Sequence, residues 1–444
     1  MKKFPNAFVI LLGVILLAWI LTYIVPQGSY ERVVGAETGV TRVVNDSYQQ
    51  INTESPSIFD LLISIPKGIA GRAELIVLIL LIGGCFYLIE KTDTFNQGLV
   101  KLVASLKGKE SLALIIVAAI FTAGGASIGL QEEVVAMTPV LILFGKSLGY
   151  NTFTMLFASY GSTVVGSSFS PSNPFAVIIA QKEAALPLLS GSTLRIATLL
   201  IAFVVWVGYL LFYSKKNRIE KIHMPTQSAT MNSRSKLILA LLAITFTIVI
   251  YGIVQFEWGF MEMSGCFFAL GIVAGLISKM GWNKTGETYV AGMKEMIFAC
   301  VIIGLANSIS IILKDGLIMD TIVYGLFGPL QNFPPALSGV MMMVSHTLLH
   351  FPVPSYSGQA ILTLPILVPL SDLIGLSRQT CVLAYQYGAV MADMIVPTNG
   401  ALMAILAIGN IPYNKWFKFA LKPTLLMLLI GAFTIIFAVA TGYN

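Results

Sequence analysis

Apolar stretches of about 20 residues recur from Phe4 to Val439, separated by short polar joints. As a helix, such a stretch crosses a hydrocarbon core of about 30 Å. The pattern predicts an all-α polytopic membrane protein. The first stretch, Phe8 to Val25, exceeds the apolar core of a signal peptide, roughly 7–15 residues, and no A-x-A-like site follows it. It reads as an uncleaved span.

Several later stretches are too short to be full spans. Those at 110–125, 134–148 and 152–169 are interrupted by the tracts GGASIGLQEE (124–133) and FSPSNPF (169–175). In the second half VPSYSGQ (353–359) and VPTNG (396–400) interrupt in the same manner. Non-helical backbone at membrane depth survives only where protein covers it or where it lines a water-filled cavity. The four tracts are therefore candidate site linings.

The two halves overlay at one constant offset of 226, without a gap. Pro139 falls on Pro365 and Gly149 on Gly375. Pro171-Ser172-Asn173 falls on Pro397-Thr398-Asn399, and the turn Gly129–Glu133 falls on Ser355–Gln359. Interrupted segments at matching positions point to a transporter site at a repeat interface. The expected order is a hairpin (110–125 and 134–147) turning near Gln131, a broken helix (151–184) unwound at Ser170–Asn173, and a return span (193–213). Spans 236–255, 263–279 and 291–313 follow. A second hairpin (336–374) then turns at Ser355–Gln359, before a second broken helix (380–409) and a last span (420–440).

Charge assigns sides. Lys2 and Lys3 precede the first span, which places the N-terminus in the cytoplasm. Segment 27–57, with Glu31, Glu37, Asp46 and Glu54 against Arg32 and Arg42, reads as outside. Segments 91–109, 214–236 and 410–422 are Lys- and Arg-rich and read as inside. The first hairpin then opens inward and the second outward, so the repeats are inverted. The expected divisions are 1–109 (scaffold helices), 110–213 (first repeat), 214–236 (cytoplasmic loop), 237–335 (second scaffold helices) and 336–444 (second repeat). The expected location is a bacterial inner membrane.

Composition agrees: 56% hydrophobic and 11% charged, against about 25% charged in a soluble domain. The net charge of +6 lies in the short joints and leaves no basic surface for nucleic acid. The four cysteines, Cys85, Cys266, Cys300 and Cys381, have no metal or redox spacing and read as buried small hydrophobes.

The segment YSGQAILTLPILVPLSDLIGLSRQTCVLAYQYG, then IVPTNGALMAILAIGNIPYNKWFKF, resembles the C-terminal signature of YfcC-type carriers. These lie within the anaerobic C4-dicarboxylate carrier family of the ion-transporter superfamily. The opening KKFPNAFVILLGVILLAWILTYIVPQG and the tract SNPFAVIIAQ resemble it too, so the likeness covers nearly the whole chain. It departs in detail. Tyr356 stands where the family usually has Gly, Asn399 where it often has Ser, and Asp393 where a smaller or Asn-like residue is expected. The resemblance implies a scaffold domain, a mobile transport domain, an elevator motion and a homodimer.

The candidate substrate- and ion-binding residues are Ser127, Gly129, Gln131, Glu132, Glu133, Ser170, Ser172 and Asn173 from the first repeat. From the second they are Ser355, Ser357, Gly358, Gln359, Asp393, Thr398 and Asn399. Ser172, Asn173, Thr398 and Asn399 either bind a solute or ion at unwound helix ends or cap those ends. Asn173 and Asn399 are candidates to hold Na+. Glu132 and Glu133 point about 100° apart on a helix, so one at most faces a cavity; an intramembrane carboxylate is a functional candidate by default. Asp393 is the one acid in AVMADMIVP and reads as a cation ligand, a proton carrier or a hydrogen-bonded structural acid. His346 and His350 share a helix face, but no acid is near them in sequence and no HExxH pattern exists. His350 lies five residues from Ser355.

The function expected is secondary active transport of a small carboxylate-bearing solute, coupled to H+ or Na+ or run as an exchange, with no other cofactor. A basic amino acid or dipeptide exchanger is the alternative, with Glu132, Glu133 and Asp393 as countercharge. No G-x-x-x-x-G-K-[ST] motif is present. An intramembrane enzyme is the distant third reading.

Overall fold

The computed structural model describes residues 5–34, 41–43, 47–94, 97, 109–131, 133–221, 232–256 and 258–443. Helix dominates. After α1 (Ala7–Ile24), α2 (Ile58–Ala70) and α3 (Ala73–Lys91) come the first interrupted elements. These are α4 (Glu110–Ile128), α5 (Glu133–Ser147) and α6, which runs from Thr152–Leu156 through a π-helical turn, Phe157–Gly161, into Ser162–Ser168. Past a break, a π-helical turn at Pro174–Ile178 leads into α7 (Ile179–Glu183), and α8 (Ser192–Lys216) follows. The second half holds α9 (Ser233–Phe256), α10 (Phe260–Ile277), α11 (Trp282–Asp315), α12 (Met319–Phe327), α13 (Pro335–Leu349) and α14 (Tyr356–Leu373). It ends with α15 (Arg378–Ala392), α16 (Gly400–Ile408) and α17 (Tyr413–Ala440). Among the described residues, six helices are long and apolar enough to cross a membrane.

The breaks fall where the tracts predict them: α4 ends before Gly129, α6 before Ser170, α13 before Ser355 and α15 before Thr398. One expectation needs correcting. Segment 27–57 contains short strands, so the protein is not purely α. Gly28–Ser29 pairs with Gln49–Gln50, and Arg32–Val34 with Thr41–Val43, both antiparallel. Strand register between residues so far apart is set by partners and not by a local apolar period, which is why the pattern misses it.

The offset of 226 recurs in the backbone. Gly149 and Gly375 both terminate a helix with positive φ, 81° and 73°, the left-handed cap for which glycine is suited. Two residues later Asn151 and Ser377 each cap the next helix, accepting from the N–H of Thr154 and Thr380. Asn173 caps the π-helical turn through the N–H groups of Phe175 and Ala176, and Asn399 caps α16 through that of Leu402. Each cap satisfies N–H groups that a helix start leaves unpaired.

Packing sorts the helices into two groups. α1, α2, α3 and α10 all pack on α11, with α1 also against α2 and α3 against α10. The hairpins and broken helices pack among themselves: α4 on the Ser162–Ser168 segment, α13 on α15, and α15 on Ser162–Ser168. Close crossing there requires glycine. A Cβ on Gly125 would lie 2.2 Å from the carbonyl oxygen of Thr163, and one on Gly166 would lie 2.1 Å from that of Thr122. The second hairpin arms cross over between halves, α5 packing on α16 and α14 on α7. The two groups meet where α11 packs on α16 and α3 on α5.

Polar contacts gather the joints into two sets. Lys221 pairs with Glu110 at 2.7 Å, and Arg218 donates to the carbonyl of Leu148. In the other set Arg32 pairs with Asp320 at 2.7 Å, Lys67 with Asp315 at 3.5 Å, and Ser377 donates to the carbonyl of Tyr443. No contact joins a segment read as inside to one read as outside among these.

Candidate functional site

A cavity of about 240 Å³ lies at the seam between the two groups. One wall is Arg72 and Leu75 of α3 and its preceding turn, Phe260 of α10, and Ile303, Asn307 and Ser310 of α11. The other wall comes from the interruptions: Gly129, Gln131, Glu133, Phe175, Ser355, Tyr356, Ser357, Asp393, Asn399, Gly400 and Ala401. Three helices begin at this wall: α5 at Glu133, α14 at Tyr356 and α16 at Gly400. Helix N-termini carry unpaired N–H groups and partial positive charge, and they favour anions.

Asp393 is the centre of the polar wall and is 1% exposed. Its Oδ2 accepts from Nε2 of Gln131 at 2.5 Å, and its Oδ1 accepts from Nε2 of His350 at 2.5 Å and from the amide of Asn399. Among the described residues three donors and no acceptor meet the side chain, the arrangement an ionised carboxylate requires. Such a charge is tolerable in a protein interior only when hydrogen-bonded in this way. The Asn399 amide cannot be turned, because its oxygen serves as the cap of α16.

The histidine is oriented by Gln359. The Gln359 amide nitrogen donates to the carbonyl of Val353 at 3.0 Å, which only accepts, so it is also nitrogen that faces Nδ1 of His350 at 2.9 Å. Nδ1 is therefore the acceptor, and Nε2 carries the proton that points at Asp393. The amide oxygen of Gln359 takes the Nδ1 proton of His346 at 3.0 Å.

The expected residues divide into two layers. Gly129, Gln131, Glu133, Ser355, Ser357, Asp393 and Asn399 line the cavity. Behind them Asn173 donates to the carbonyl of Gly125 at 2.7 Å, Ser170 and Ser172 donate to that of Ala126, and Thr398 donates to that of Phe351. Gly358 donates its N–H to the Ser355 cap, Gln359 is buried, and Ser127 is exposed and donates to the carbonyl of Ala123. Glu132 lies outside the described residues. Glu133 does two things: it faces the cavity, and its Oε2 accepts from the N–H of Gln131 at 3.1 Å.

Arg72, Asn307 and Ser310 were not expected. The signal for the latter two was their polarity within an apolar span. Arg72 opens the apolar run of α3 and caps it without a side-chain bond. Among the described residues it forms no ion pair.

Helices interrupted around a polar cavity, in a chain with six helices among the described residues long and apolar enough to cross a membrane, suit a multi-pass membrane transporter. The chain belongs to the C4-dicarboxylate anaerobic carrier family, whose sequence profile it matches over residues 4–440. It is similar to a Haemophilus influenzae protein of uncharacterised function, 28% identical over 99% of this chain and 97% of that one. It is similar to the same degree, 28% over 99% and 97%, to YfcC of Escherichia coli, provisionally named a basic amino acid antiporter. Among solved structures it is similar to the YdaH transporter of Alcanivorax borkumensis (14% identity, TM-score 0.46, covering 99% of each chain). It is also similar to MtrF of Neisseria gonorrhoeae, described as an antimetabolite efflux pump (17%, TM-score 0.43, covering 98% of this chain and 95% of that one). Likeness at that level carries no comparison of sites. The family is one of carriers and not of enzymes.

Proposed function

We propose that the protein is a secondary active transporter of a small carboxylate-bearing solute, coupled to H+ or Na+ or to exchange, and that the solute also carries an amine. The observation that carries this reading is the charge of the cavity: one guanidinium, Arg72, faces two carboxylates, Glu133 and Asp393. A solute carboxylate suits Arg72 and the N-termini of α14 and α16. Opposite unit charges about 4 Å apart attract by about 4 kcal/mol at an effective dielectric near 20, and like charges repel as much. An amine beside Glu133 gains that energy, whereas the second carboxylate of a dicarboxylate loses it. Asp393 is already satisfied, which leaves Glu133 as the partner for the amine. This favours an amino acid, and the provisional name of YfcC, a basic amino acid antiporter, supports a basic one.

The proposed motion is an elevator. The hairpins and broken helices would move as inverted repeats against the group built on α3 and α11. Support comes from the paired caps at the offset of 226, the crossed packing of α5 on α16 and α14 on α7, and the position of the cavity at the seam. We infer the two sides of a bacterial inner membrane from the charge bias, with the N-terminus cytoplasmic; the two sets of polar contacts agree with it. The homodimer rests on the family resemblance alone. Ligand-dependent thermal shifts of the purified protein test the solute class. L-arginine, L-lysine and L-ornithine should raise the apparent Tm, and Arg72→Gln should remove the effect. Stabilisation by succinate or fumarate with none by amino acids would overturn the class.

A further inference from the structure

The hydrogen bonds around Asp393 bear on which ion is coupled, a refinement that rests on the transport reading above. From His346 to Asp393 they form one directed chain. Nδ1–H of His346 points to Gln359, the Gln359 amide N–H to Nδ1 of His350, and Nε2–H of His350 to Asp393. Donors so aligned polarise one another. The far end is closed: among the described residues Nε2 of His346 is buried without a hydrogen-bond partner, and its ring packs against those of Phe327 and Tyr385. The near end, Asp393, faces the cavity.

This surrounding is wrong for a metal cation. Hard cations take oxygen ligands, and the groups aimed at the Asp393 carboxylate are N–H donors from Gln131, His350 and Asn399. A Na+ beside either oxygen would meet their positive ends. The side-chain oxygens of Asn173 and Asn399 are occupied by helix N–H groups. Among the described residues no cluster of three His, Cys, Asp or Glu could hold a metal ion.

We propose that the coupling ion is a proton carried by Asp393, and that Gln359 makes this possible by fixing His350 in its neutral Nε2–H tautomer. With Nδ1 facing an N–H, His350 has no free site for a second proton, so the proton goes to the carboxylate. One proton from bulk water adds to Oδ2, the oxygen that faces Gln131. Gln131 then turns its amide so that Oε1 accepts from the new O–H. The side chain passes from −1 to neutral, and loss of the proton reverses each step. Among the described residues the other titratable or charged groups facing this centre are Glu133 at the start of α5, Arg72 across the cavity, Tyr160 of α6, His346 of α13 and Tyr385 of α15. Gln359 is a positioning residue in this scheme.

Infrared difference titration of the full-length protein in lipid nanodiscs tests the proposal without any solute, in NaCl and again in choline chloride. Acidification should produce a carboxylic-acid C=O band that Asp393→Asn removes, with the same midpoint in both salts. In Gln359→Ala the freed Nδ1 of His350 should take a proton, giving an imidazolium signal and a displaced carboxyl band. A wild-type midpoint that falls as Na+ rises overturns the proton assignment, and this arm needs no variant to fold. A band that survives in Asp393→Asn overturns the carrier, and an unchanged carboxyl band in Gln359→Ala overturns the role of the tautomer. Failure of the amino acid panel would leave these results standing, so the two readings fall separately.

Discussion

Gln131 and Asp393 are 262 positions apart in the chain and 2.5 Å apart in space. The bond joins the turn after α4 to the end of α15, and so ties the interruption of one half to the interruption of the other. Both groups also line the cavity, so whatever enters it meets a contact that already spans the two halves.

If Asp393 carries charge through the cycle, Asp393→Asn should lose accumulation against a gradient and retain part of solute exchange. Uphill uptake and exchange measured on the same proteoliposomes check this. Normal uphill uptake would remove Asp393 from coupling.

The two equivalent asparagines should separate in behaviour. Asn173 sits behind the cavity as a cap and a donor to Gly125, so Asn173→Ala should cost about 0.5–2 kcal/mol of stability with affinity nearly unchanged. Asn399 faces the cavity and holds Asp393. Asn399→Ala should weaken affinity roughly five- to 150-fold, the equivalent of about 1–3 kcal/mol for a lost buried hydrogen bond. Equal effects on affinity in the two variants would contradict the two-layer arrangement.

Much of this is legible in the sequence. The offset of 226 located Gly149 and Gly375, and it located Asn173 and Asn399, because a left-handed cap and a helix start each restrict residue type. Asn151 and Ser377 lie on the same offset but escape it, since two different residues make the same cap. Arg72 and Asn307 escape it for another reason. They belong to helices outside the repeated segments and reach the cavity only through packing. The acid facing His350 is 43 residues away, so neither spacing nor motif could pair them, and the tautomer depends on which way one amide of Gln359 points.

Gly149→Ala and Gly375→Ala should each lower the apparent Tm, by the equivalent of about 1–2 kcal/mol for a left-handed residue with a Cβ. Gly149→Ala should lower it more, because its Cβ would also lie 3.2 Å from the carbonyl oxygen of Ile219, while that of Gly375 meets nothing within 4 Å among the described residues. Thermal denaturation in detergent, at one scan rate, ranks the two.

A cross-link across the seam tests the motion. A Cβ on Gly400 would stand 3.5 Å from that of Ala306, within the range a disulfide needs. The double variant Ala306→Cys, Gly400→Cys should lose transport on oxidation and regain it on reduction. Full transport by the cross-linked protein would show that α16 does not move against α11.

Solute specificity in counterflow tests the central claim most directly. Proteoliposomes loaded with unlabelled L-arginine should take up labelled L-arginine transiently above equilibrium, unlabelled L-lysine or L-ornithine should compete, and Arg72→Gln should abolish the overshoot. An overshoot with labelled succinate and none with any amino acid would contradict the account, because the cavity of Arg72, Glu133 and Asp393 would then not be selecting for an amine beside a carboxylate.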